Sequence, residues 1–165
     1  MRIETRTTVL LLALVVLTAF AIPTTLADGN KKVNMTEGGG KSNSTVMPNV
    51  STFAFEAKNM SDKKGCKVEG NLQYNDHGAM IKLHGNVTML MVDKTVTPHT
   101  ATFCGWAKVT NATGAKMALP YTVMVMEGMK GVGTFNISLP ITSDFLPAGY
   151  SDSDTLLGGR IKVDP

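Results

Sequence analysis

The residues with chemistry to offer are few, and sulfur leads them. Cys66 and Cys104 are the chain's two thiols, and in an exported protein such a pair points to a disulfide. The 37 residues between them would make that closure worth roughly 3 to 4 kcal/mol. Strand alternation, set out below, places the two on opposite faces, so two separate semi-buried thiols stand beside the bond as the alternative. Among the eleven methionines, Met89 and Met91 are spaced by two, as are Met124 and Met126. Thioethers can hold Cu(I) beside Cys or His, but no gathering of three soft ligands is evident. Met89 and Met91 are therefore assigned to the core, and Met124 and Met126 to the outer surface or a partner contact.

Hard ligands are scattered. His77, His84 and His99 fall in a turn, on a wet strand face and in a loop after Pro98, so they read as solvated rather than as a zinc set or proton shuttle. The connection from Pro140 to Thr155 carries Asp144, Ser151, Asp152, Ser153 and Asp154, whose oxygens could curl around Ca²⁺. Asp152 and Asp154 are the metal candidates there, without the glycine and glutamate of an EF-hand. Trp106 and Tyr150 supply aromatic platforms, and beside that loop they suggest a glycan or peptide site. No Gly-x-Ser-x-Gly elbow, His-Glu-x-x-His pair or phosphate-binding glycine loop occurs, so no catalytic residue is expected and the chain reads as a non-enzyme.

The most frequent motif is a modification signal. Asn-x-Ser/Thr triplets begin at Asn34, Asn43, Asn49, Asn59, Asn86, Asn111 and Asn136, and none has proline in the middle. Chance would give roughly two such triplets. Heavy N-glycosylation follows, in a host that glycosylates asparagine, and requires every acceptor to stay out of the core.

The elements that must position these residues begin with an export signal. Arg2 and Arg6 precede the uncharged run Val9 to Ile22, and small residues surround Ala27. The run would span about 21 Å as a helix, short of a bilayer core, so residues 1–27 read as a cleaved signal peptide with no membrane span left afterwards. Residues 28–50, with Gly38-Gly39-Gly40 and no apolar period, read as a flexible Asn/Gly/Ser/Thr-rich linker. Residues 51–165 read as the folded domain.

Within that domain, short period-two runs are separated by Gly, Asn, Asp or Pro. A two-residue His77-Gly78 turn would pair residues summing to 155, setting Leu72 opposite Leu83 and Gly70 opposite Gly85, with Asn86 pointing outward. Further runs place Phe103, Gly105, Ala107 and Val109 on one face, then Leu119, Tyr121, Val123 and Val125, then Phe135, Ile137 and Leu139, with Asn136 outward. Asn111 falls in a turn and Asn59 in a loop running to Gly65. About eight strands result, enough for an all-β antiparallel β-sandwich.

These motifs, in order, resemble a family. Thr52-Phe53-Ala54-Phe55, Gly70-Asn71-Leu72-Gln73-Tyr74-Asn75-Asp76, Ala101 to Val109, Tyr121-Thr122-Val123, Gly133 to Ile137 and Gly158-Gly159 are similar to the post-COAP-type β domain of secreted and cell-surface proteins of bacteria and archaea. The resemblance covers residues 51–164 and implies no activity, cofactor or catalytic residue. This chain departs from it at Cys104, in its methionine-rich strands and at Met129-Lys130, where an acidic glycine-bearing turn is usual.

Composition agrees with this class. With 43% hydrophobic and 18% charged residues in 165, the chain can fold, while its 6% aromatics leave few large core side chains. The formal charge of +3 becomes +2 when Arg2, Arg6 and Glu4 leave with the signal, too weak for a nucleic-acid footprint. The expected role is a secreted or envelope-associated structural or adhesion module, with an envelope protein, surface protein or glycan as partner. A calcium-assisted glycan- or peptide-binding module is the alternative.

Overall fold

The computed structural model describes residues 34–164 except 45, 47, 63, 64, 143 and 147, and no side chain from 61 to 66. The expected signal peptide and the first residues of the linker lie outside the described residues. Among the described residues there are ten strands and no helix: β1 Met35–Asn43, β2 Val50–Asp62, β3 Gly65–Asp76, β4 Ile81–Asp93, β5 Thr100–Thr110, β6 Lys116–Met126, β7 Gly128–Met129, β8 Thr134–Leu139, β9 Tyr150–Thr155 and β10 Gly158–Asp164.

They hydrogen-bond into one antiparallel sheet in the order β7-β10-β1-β2-β3-β4-β5-β6-β8-β9. The sheet curls into a half-barrel around its own inner face. Period-two alternation is the cause: Ile81, Leu83, Val87, Ala107, Val109, Leu119, Val123, Val125, Phe135 and Ile137 all turn inward and are buried. Each large apolar side chain so enclosed contributes about 1.5 to 3 kcal/mol. The two stacked sheets of a sandwich are thus replaced by one sheet folded over itself. Phe53 and Phe135, from β2 and β8, stack at 4.0 Å between ring centroids, and Phe55 meets Phe103 at 5.0 Å.

The expected linker is corrected first. Residues 35–43 form β1, held between β10 and β2. Its inward positions are Thr36, Gly38, Gly40 and Ser42, too small to show an apolar period. The space above them belongs to neighbours. A Cβ on Gly38 would lie 2.9 Å from Phe55 Cε1 and 3.0 Å from Ile161, and one on Gly40 would lie 2.4 Å from the Gly158 carbonyl oxygen. The glycine run is therefore a seat for aromatic rings and close backbone, not a hinge.

The β3–β4 register is corrected next. Asp76 pairs with Ile81, Tyr74 with Leu83 and Leu72 with Gly85, so partners sum to 157 and the loop holds four residues. Asp76 causes this: its Oδ1 accepts the amides of Gly78 at 2.8 Å and Ala79 at 3.0 Å, winding the chain one step further than a two-residue turn. Met80 completes the loop at φ 55°. Because the slip is even, every inner residue keeps its face.

A bulge between Val87 and Met89 makes the opposite kind of change. One extra residue reverses parity beyond it, so Leu90 is buried while Met89 and Met91 are exposed. The expected core placement of these two methionines is overturned. Asn59 also differs from expectation, lying in β2 opposite Val68 rather than in a loop.

Candidate functional site

The sequence places Tyr-x-Asp twice, as Tyr74-Asn75-Asp76 on β3 and Tyr150-Ser151-Asp152 on β9. Period two sends both side chains of each motif inward, and the curl brings the two motifs face to face. The motifs exchange partners: Tyr74 OH lies 2.6 Å from Asp152 Oδ2, and Tyr150 OH lies 2.7 Å from Asp76 Oδ2. The two phenol oxygens are 2.5 Å apart. Ser51 donates to Asp152 Oδ2 at 3.0 Å and lies 2.6 Å from the Ser42 hydroxyl, while Ser44 donates to Asp76 Oδ1.

Proton counting gives this chain its electrostatics. Asp152, Tyr74, Tyr150 and Asp76 are joined by three oxygen–oxygen contacts. Two phenolic protons fill only two of them if both carboxyls are ionised. Tyr74 donates to Asp152 and Tyr150 donates to Asp76, so the short contact between the two phenols is the one left without a proton of its own. The two carboxyls sit in different environments. Burial raises the Asp152 carboxyl, and the neighbouring Asp76 and Asp154 charges add to the rise against hydrogen bonds from Tyr74 and Ser51. Burial also raises Asp76, but hydrogen bonds from Ser44, the Ala79 amide, Tyr150 and the Gly78 amide outweigh it and hold Asp76 below its ordinary value. Burial pushes both tyrosines far up, so they remain phenols.

Position explains what the network does. β9 is the last strand of the sheet, and β1 to β3 lie toward the opposite end. No ladder joins β9 to them among the described residues, and side chains span the gap instead. Asn43 Nδ2 donates to Asp154 Oδ2 at 2.5 Å, and just beyond β9 a backbone bond from the Leu157 amide to the Lys41 carbonyl, 2.7 Å, continues the β1–β10 ladder. The site is a polar seam that holds the curl shut. Every buried side-chain nitrogen and oxygen among the described residues has a hydrogen-bond partner.

Several expected sites are redistributed by this geometry. Tyr150, 9% exposed, faces inward, while Trp106, 60% exposed, stands on the outer face of β5, so they form no joint platform. Asp152 is buried in the seam and Asp154 is bonded to Asn43. They lie on a strand rather than a curled calcium loop, because Tyr150, Asp152 and Asp154 follow the period of β9. Among the described residues no three His, Cys, Asp or Glu side chains gather as a metal-ligand set. His77 and His84 are exposed, and His99 Nδ1 is 3.4 Å from Glu127 Oε2. Cys104 is a free, half-buried thiol on β5, and the Cys66 side chain lies outside the described residues.

The acceptor asparagines stay off the core. Asn49 and Asn86 are exposed, and Asn34, Asn43, Asn59, Asn111 and Asn136 are half-buried. Asn111 sits in the β5–β6 turn, its Oδ1 accepting from the Thr113 and Ala115 amides. The sequence reading missed Asp76, Ser42, Ser44 and Ser51 as site residues. The repeated Tyr-x-Asp was the available signal, since two copies in strands that bury their alternate residues must place two carboxyls inside. Comparison with known proteins adds no relative to this picture: no family model matches the chain, nor does any curated protein or solved structure.

Proposed function

We propose that this chain is an exported, N-glycosylated, non-catalytic module that contributes structure or adhesion outside the cell or at its envelope. The supporting observation is the contrast between its faces. Inside, the acids and phenols are occupied with one another in holding the sheet closed; outside, the asparagines of the seven triplets remain clear of the core. Such a surface suits an envelope protein, a surface protein or a glycan as partner. The resemblance to post-COAP-type domains is consistent with this setting, and the signal-like N-terminus supplies the route.

Intact-mass and glycopeptide analysis of protein from a glycosylating host tests the proposal. The expected product starts near Asp28 and carries glycan on Asn49 and Asn86. Asn43, whose amide is engaged by Asp154, is expected to remain bare. A retained leader with unmodified Asn49 and Asn86 would overturn the proposal.

A further inference from the structure

The bulge at Val87/Met89 assembles something that spacing along the chain conceals. Beyond it, β4 presents Met89 and Met91 on the outer face, and β6 presents Met124 there; these are 47%, 40% and 53% exposed. Between these strands lies Cys104 of β5. Met89 is its direct partner on β4, and Thr122 its direct partner on β6, which makes Met91 and Met124 its diagonal neighbours. Direct neighbours in a sheet have Cβ atoms about 4.5 to 5.5 Å apart and diagonal ones about 7 to 8 Å, within reach of a side chain with three rotatable bonds. Three thioethers thus surround one free thiol.

We propose that Cys104, Met89, Met91 and Met124 form a surface site for a soft monovalent cation, Cu(I). The chemistry favours this occupant over harder ions. Thioethers bind Cu(I) well and hard divalent ions poorly, and a single thiolate neutralises a single positive charge. Binding forms a Cu–S bond and releases the thiol proton to solvent, with no change in oxidation state. Because a cation must displace the thiol proton, affinity should increase with pH. The site is independent of glycosylation and of the buried seam.

Trp106, the chain's one tryptophan, stands two residues from Cys104 on the same outer face and can report occupancy. The full chain lacking its signal is titrated anaerobically with Cu(I) against a chromogenic Cu(I) chelator, following Trp106 fluorescence and native mass. One Cu(I) per chain and a saturable fluorescence change are expected. Cys104→Ser should weaken binding by more than about 100-fold, beyond what a residue that merely supports a ligand is worth. The triple variant Met89→Leu/Met91→Leu/Met124→Leu keeps the bulk and should weaken it by roughly 10- to 100-fold. Cys66→Ser should bind as the parent does. Unchanged binding in Cys104→Ser or in the triple variant, loss in Cys66→Ser, or equally tight binding of Zn(II) would each overturn the site.

Discussion

The half-barrel reverses the usual distribution at two places. Its inner face holds two carboxyls and three phenols, and the outer face of β4 to β6 exposes methionines and a tryptophan. The inner polar groups are tolerated because each is bonded, so removing one strands several others. The outer apolar groups contact water, so removing one strands nothing. Burial makes a polar residue dependent on its partners, whereas exposure leaves an apolar one available for another role.

The largest test of that contrast is Asp76→Ala. It removes the acceptor of Tyr150, Ser44 and two loop amides and should destabilise by about 3 kcal/mol or more, read as a drop in the urea midpoint. A loss as small as that of an outer-face substitution would erase the distinction. The two acids should also respond to pH in opposite senses. Asp76, held below the ordinary 3.8, contributes stability above that value and loses it as pH falls through the folded pKa. Asp152, raised above 3.8, contributes fully below it and loses that contribution as pH rises through its folded pKa. Urea midpoints measured against pH should therefore show Asp76→Asn removing part of the acid-side decline and Asp152→Asn part of the decline at higher pH. The same sign for both variants would refute this division between the two acids.

Smaller effects belong outside. Met89→Ser, Met91→Ser and Met124→Ser should each change stability by no more than about 0.5 kcal/mol, measured by thermal or urea unfolding. A larger loss would mean these side chains are structural. Smallest, and opposite in sign, Met80→Gly relieves a left-handed backbone at the cost of glycine's greater chain entropy and should raise stability by only about 0.3 kcal/mol, read from the urea midpoint.

The strands were readable where inner positions are large and apolar, as in β4 to β6 and β8, because period two is then visible in residue type. β1 was hidden because Phe55 and Ile161 reach over Gly38 while the Gly158 backbone crowds Gly40, and a strand whose inner face is filled from next door has no pattern of its own. Met89 and Met91 were misplaced because a bulge changes parity without leaving a mark in composition. Asp76 and Asp152 looked like turn and loop acids, since a lone carboxyl gives no sign that a phenol from a distant strand will meet it. The outward direction of Asn86 and Met124 and the turn at Asn111 were correctly anticipated, each depending only on local alternation or turn chemistry.

The pairing of β1 with β10 places Met35 directly across from Asp164, with both strands antiparallel. A tensile load applied through these two residues would peel that ladder open rung by rung, like a zipper, instead of straining its bonds in parallel. The ladder is thus weak to a pull that enters at this end.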